Sequence, residues 1–307
     1  MFTEHCDNIR QDTSYRGSNM KKIAGRCRLC GSDNEKFLFF VKKYKIVRCL
    51  ECNFTQIAEK PTETELKEIY GESYFDHEKY QFPASLRREN RRRLLLVKRF
   101  VKSNQPKILE AGCGMGEFLS LANQQFEVAG FDLCEYAVSH ARKNCNSYTQ
   151  NIWTADIDEQ ELPLAHFDAV CLWDVIEHLW NFKSVCRNLL KSLKPGGFLF
   201  LSTPDIHSFT GRVFGRFWPF MTPPEHVNFF CDMSLRFLFE NRCRSNIVYS
   251  SAKGKWTNCG FVLKKIQKIL PGRKNNRLLH FLMRATPSSL TVYAPSHDIR
   301  YLVVRNP

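Results

Sequence analysis

No aspartate or glutamate occurs between Asn241 and His297, a stretch that carries eleven lysines and arginines. The whole chain has a formal charge of +14. That balance favours anionic partners, whether nucleic acid, phosphorylated substrates or an acidic membrane surface, without choosing among them. Also missing is any apolar run near the roughly 20 residues needed to span a bilayer. The opening residues 1–16 are polar and lack the apolar core of a secretion signal. These absences count against a helical membrane protein and an exported one, and the expected location is cytoplasmic. A disulfide framework is absent too: the thirteen cysteines are odd in number, and nine fall in segments that read as core or helix.

What is present is length enough, at 307 residues, for one α/β domain of about 200 residues and a smaller module. The centre of the pattern is residues 107–119. The apolar pair Ile108 and Leu109 runs into Glu110, then glycines at alternate positions, Gly112, Gly114 and Gly116, then an amphipathic segment. This is a buried strand turning tightly into a helix, where bare backbone meets a ligand. A dinucleotide fingerprint would place a glycine at position 117, and the chain has Glu117. Strands and helices then alternate, which predicts a mainly parallel sheet covered on both faces. The second strand ends at Asp132, where a carboxylate can accept both hydroxyl protons of a ribose. The fourth runs from Phe167 to Trp173 and is followed by Asp174, Val175, Ile176, Glu177 and His178.

These motifs, with the Leu193-Lys194-Pro195-Gly196-Gly197 turn, resemble class I S-adenosylmethionine-dependent methyltransferases. The resemblance implies a doubly wound, Rossmann-like α/β domain with a seven-stranded, mainly parallel sheet. It implies S-adenosylmethionine held by Glu110, Gly112, Gly114, Gly116, Asp132 and Trp173, with Asp156, preferred over Asp158, accepting the adenine amino group. The Asn/Asp-Pro-Pro-aromatic motif of amino-methylating nucleic-acid enzymes is replaced by Leu172-Trp173-Asp174-Val175, which counts against adenine-N6 chemistry.

Upstream, Cys27-x-x-Cys30 and Cys49-x-x-Cys52 are separated by 18 residues. Two such pairs predict a four-thiolate zinc ribbon, a structural site with no open coordination position. Thr62 is the expected N-cap of a helix with acids in its first turn, closed by Gly71, Tyr74 and Phe75. The ribbon and this helix are similar to the N-terminal part of a bacterial subgroup of zinc-ribbon methyltransferases associated with sugars, surface polysaccharides or natural products. Residues 84–104 read as a basic helix with Leu94, Val97 and Val101 at core spacing. The expected organisation is a disordered leader over 1–24, a zinc ribbon over 25–60, a helical connector over 61–104 and the catalytic domain over 105–307.

Regularity stops between Thr203 and Phe230, which hold four prolines and seven aromatics and read as a substrate lid over the glycine loop. In an extended chain only one of Glu225 and His226 would face the substrate. His226, with an ordinary pKa of about 6.5, is the expected general base, and His178 is second. Residues 261–284 supply an amphipathic basic helix suited to peripheral contact with an anionic inner membrane surface. Two runs, 290–294 and 299–304, are expected to form the closing hairpin around Pro295-Ser296-His297-Asp298. The preferred function is methyl transfer to a small or lipid-linked acceptor such as a sugar, polysaccharide precursor or natural product. An RNA methyltransferase and a non-catalytic cofactor-binding module are the alternatives.

Overall fold

The computed structural model describes residues 25–70, 83–145, 151–258 and 291–307. The leader, the helix-closing Tyr74 and Phe75, and the basic helix expected within 261–284 lie outside them. The first three strands, β1 (Glu35–Val41), β2 (Tyr44–Cys49) and β3 (Thr55–Ile57), form an antiparallel meander. Helix α1 (Glu63–Tyr70) starts as the capping pattern predicts. The Glu65 amide donates to Thr62 Oγ1 at 3.3 Å, and the Thr62 amide donates back to Glu65 Oε2 at 2.8 Å. Helix α2 (Pro83–Phe100) buries Leu94 and Val97 on its core face, with Val101 just beyond, and the polar Glu89, Asn90 and Arg93 as well.

From Lys107 the chain builds β4 (Lys107–Ala111), α3 (Glu117–Ala122), β5 (Glu127–Asp132), α4 (Glu135–Asn144), β6 (Ile152–Thr154), β7 (Phe167–Trp173), α5 (Phe182–Ser192) and β8 (Leu193–Pro204). Strands β6, β5, β4, β7 and β8 lie side by side and parallel. Because every parallel strand needs a crossover, helices cover both faces and the middles of the strands are largely apolar. All but one residue of β7 is buried. The sheet has seven strands and the doubly wound form expected, and the strand ends at Ala111, Asp132 and Trp173 share one edge.

The 203–230 segment is not a free loop. It forms α6 (Phe209–Phe214), a 3-10 turn (Gly215–Phe217) and a short strand, β9 (Asn228–Phe229). Strand β9 pairs antiparallel with β3, Thr55 opposite Phe229 and Gln56 opposite Asn228, so the segment completes the sheet of the cysteine module. Trp218, Met221, Val227 and Phe229 pack with Tyr44, Ile46 and Ile57 in a core of their own. The module also shares the main core: Phe54 stacks near Phe182 and Phe230 at 5.3 and 5.1 Å. The chain then runs through α7 (Asp232–Arg236) and a π-helical turn (Phe237–Arg242).

The closing hairpin differs from expectation. Strand β10 (Asn246–Asn258) pairs antiparallel with a single long strand, β11 (Thr291–Arg305), which contains both expected runs. Lys253 faces Ile299 and Lys255 faces Ala294, so Pro295 to Asp298 bulge out opposite Gly254 without reversing the chain. The reason is a tether. Asp298 accepts hydrogen bonds from Ser208 Oγ at 2.7 Å and Trp218 Nε1 at 3.4 Å, and its carbonyl accepts from the Asp205 amide at 2.7 Å.

Asn228 is buried and bonded on every side, its Nδ2 donating to the Ile176 and Leu179 carbonyls at 3.1 and 2.6 Å. Asn228→Ala removes the side-chain donor to two buried carbonyls and the acceptor of Arg28, so we expect a loss of about 3 kcal/mol in chemical denaturation.

Candidate cofactor cleft and histidine pair

At the shared strand edge the glycine loop follows the predicted path. Gly112, Gly114 and Gly116 all have positive φ, at 74°, 53° and 77°. A Cβ on Gly112 would lie 2.7 Å from Val175 Cγ2, and one on Gly116 would lie 2.8 Å from the Ala141 backbone, so both sites also forbid a side chain by contact. Asp132 holds the turn: Oδ2 accepts from the Gly114 amide at 2.8 Å and Oδ1 from the Cys134 amide at 3.0 Å. Asp156 is exposed just past β6, and the Ala155 amide donates to the Asp132 carbonyl at 3.0 Å, which puts the two acids at neighbouring strand ends. Asp158 is also exposed, and its carboxylate accepts from Asn181 Nδ2.

Beneath the loop lies a buried charge network. Arg93 Nη2 donates to Asp174 Oδ2 at 2.6 Å, and its guanidinium sits 5.3 Å from the centre of the Trp173 ring. Burial pulls the Arg93 guanidinium down, but Asp174, Tyr301, Glu89 and Glu110 more than offset it and hold it above its ordinary value. Glu110 goes the other way. Burial pushes its carboxyl well above the ordinary range, and Glu117 and Asp132 add to the effect against the pull of Arg93.

His178, on the loop after β7, meets His226 of the 203–230 segment. Their rings are 4.8 Å apart and edge to face. His178 Nδ1 donates to the Glu225 carbonyl at 2.8 Å and His226 Nδ1 donates to the Phe220 carbonyl at 2.7 Å. A carbonyl only accepts, so each neutral ring carries its proton on Nδ1 and presents Nε2 as the basic nitrogen. Glu177, which accepts from Thr203 Oγ1 at 2.9 Å, completes a group whose ligand atoms all lie within 4.8 Å, a donor set that could also take a divalent cation. Glu225 does not lie in extended chain: residues 223–225 form a turn, so the alternation expected for Glu225 and His226 does not apply, and the Glu225 carbonyl serves the His178 ring.

A family model described as "Methyltransferase domain" matches residues 81–242. The chain belongs to that family. It is 36% identical over 104 residues to a probable S-adenosylmethionine-dependent methyltransferase of Mycolicibacterium smegmatis, covering 34% of this chain and 40% of that protein. It is 28% identical over 198 residues to the mitochondrial ubiquinone biosynthesis O-methyltransferase of Dictyostelium discoideum, covering 52% and 60%. The chain thus matches 40% to 60% of the length of these relatives. In fold it resembles magnesium protoporphyrin IX methyltransferase from Synechocystis, with a TM-score of 0.52 at 14% identity over 80% of this chain and all of that one. A methyltransferase-like protein from Bacillus halodurans gives a TM-score of 0.50 at 15% identity, covering 70% and 98%.

The methyltransferase-domain cleft suits S-adenosylmethionine on its own evidence. Glu110 Oε2, Arg93 Nε and Trp173 Nε1 are buried polar atoms with no hydrogen-bond partner in the protein, and they gather below the glycine loop. A zwitterionic amino-acid group would answer an unpaired carboxylate oxygen and an unpaired guanidinium nitrogen together. Arg93 and Asp174 are additions to the residues expected from sequence. The available signal was α2 itself, where Asn90, Arg93 and Val97 fall at core spacing, so a polar pair occupies positions that ought to be apolar.

The four module cysteines come together as predicted. Cys27 and Cys52 place their sulfurs 3.5 Å apart, Cys30 and Cys49 theirs at 3.4 Å, and all four lie within 4.8 Å of one another. A Zn–S bond of about 2.3 Å fits such a set. The hydrogen bond from Cys52 pulls the Cys27 thiol well below its ordinary value. No helix among the described residues is long and apolar enough to cross a membrane.

Two outcomes follow. Elemental analysis of the full chain should return about one zinc per chain, and Cys30→Ser should lose it together with several degrees of Tm. Glu110→Gln should raise Tm at pH 8 more than at pH 5. The folded carboxyl has the higher pKa, so the wild type loses stability as pH rises above the unfolded value and the amide does not. The same variant should bind S-adenosylmethionine about tenfold more weakly by calorimetry.

Proposed function

We propose that the chain transfers the methyl group of S-adenosylmethionine to a small or lipid-linked acceptor of the sugar, polysaccharide-precursor or natural-product class. The observation that carries this reading is the join between cleft and histidines: Val175 abuts Gly112, and His178 follows three residues later on the same loop. When bound, the cofactor supplies an electrophilic methyl on a positive sulfur. Glu110 and Arg93 would hold its amino-acid end, Asp132 its ribose, and Asp156 its adenine. Trp173 packs with Phe118, Phe200 and Tyr301 in the core beneath this site.

His226 is the acceptor's base in this reading. Its Nδ1 is fixed on the Phe220 carbonyl, so Nε2 can take a proton from an acceptor hydroxyl or amine as that atom attacks. His178 stands behind it and orients the ring. The 203–230 segment acts as a lid that keeps water out, and the cysteine module fixes it in place.

Labelled S-adenosylmethionine incubated with cell extract should mark lipid, polysaccharide or small molecules in preference to RNA. With the acceptor so found, His226→Gln should lower kcat by about 100- to 10,000-fold while cofactor affinity stays unchanged. Turnover of that acceptor at the wild-type rate would remove His226 from the chemistry.

A further inference from the structure

The outer side of the 203–230 segment is apolar and, among the described residues, exposed. Phe209 is 76% exposed, Phe217 63% and Val213 59%. Phe209 and Val213 lie one turn apart on α6, and Phe217 ends the 3-10 turn that follows. That turn packs beside β1, where Phe40 is 51% exposed and its ring lies 5.1 Å from the partly exposed Phe37. Basic side chains surround these rings. Arg212, Arg216, Lys36 and Lys42 are all exposed, as is Lys43, which pairs with Glu65, and the Arg216 guanidinium sits 4.8 Å from the Phe217 ring centre. Neither 36–50 nor 206–224 contains a single aspartate or glutamate.

We propose that this face, formed by α6, the 3-10 turn and β1, docks on an anionic lipid bilayer. The other side of the same segment is already used, since Trp218, Met221, Val227 and Phe229 close the core with the cysteine module. The outer rings therefore serve no packing role in the described residues. Rings that stand out singly from a short helix and a turn suit a soft interface, into which each can sink, and the surrounding excess of positive charge selects acidic headgroups. A protein partner would need a groove shaped to these rings and lined with acids. The proposed surface includes no residue of the basic stretch 261–284, and the proposal holds whichever acceptor is methylated.

The test uses the full chain and sedimentation with vesicles of phosphatidylcholine alone or with about 30% phosphatidylglycerol added. Wild type should bind the anionic vesicles and not the neutral ones, and raised salt should weaken binding. The double variant Phe209→Ser, Phe217→Ser should bind at least about tenfold more weakly, as should Arg212→Glu, Arg216→Glu, with Tm and S-adenosylmethionine binding kept. Phe209→Trp should show quenched emission with brominated lipid in the anionic vesicles. Lack of binding to anionic vesicles, equal binding to neutral ones, wild-type binding by the serine variant or absence of quenching would each overturn the proposal. So would a lipid-free dimer that the serine variant abolishes, which would give the face to a second copy.

Discussion

The loop between β7 and α5 turns its carbonyls inward, and one short piece of distant chain satisfies them. Asn228 Nδ2 donates to the carbonyls of Ile176 and Leu179, while the Val227 and Asn228 amides both donate to that of Glu177 at 3.0 Å. That piece is itself gripped by Arg28, whose Nη2 donates to the Val227 carbonyl at 2.7 Å and Asn228 Oδ1 at 2.8 Å and whose Nη1 reaches the Ile57 carbonyl. Arg28 lies within the first cysteine pair and stacks 3.8 Å over the Trp180 ring. Because buried backbone groups must be paired, the loop that bears Glu177 and His178 can hold its shape only while the module and the 203–230 segment are in place.

A second constraint acts from the other side of the sheet. Helix α2 brings Glu89, Asn90 and Arg93 into the interior, and strands that follow the sheet come back to receive them. Arg92 donates to the Gly254 carbonyl at 2.8 Å, Arg88 lies 4.6 Å from the Trp256 ring centre, and the Tyr301 hydroxyl donates to Glu89. Chain before the first parallel strand and chain after the last thus close over one cleft. Asp174 is held by both Arg93 and Ser202, whereas Arg93 Nε and Glu110 Oε2 keep no partner within the protein.

How much of this could be read from residues alone depended on range. The parallel strands, the glycine loop and Asp132 were legible because each is specified within a few neighbours by apolar runs and by glycines at positions that need positive φ. The cysteine pairs were legible for the same reason. The pairing of β3 with β9 was not, since a two-residue strand has no periodicity and its partner is about 170 positions away. Pro295 to Asp298 looked like a turn because bulges and turns share breaker residues, and only the tether of Asp298 to Ser208 and Trp218 decides between them. His178 and His226 were each visible, but their edge-to-face meeting depends on that same long-range pairing.

The shared sheet of β1, β2, β3 and β9 also bears on inheritance and engineering. This four-stranded unit, the acceptor-side wall in the proposed function, is a cassette in space but two separate stretches in the gene, one at each side of the glycine-loop core. A chimaera that exchanges only one of them joins a strand to a partner it did not evolve beside. Diversification toward a new acceptor would therefore proceed through paired changes in both stretches, while the core between them, which bears the glycine loop, stays the same.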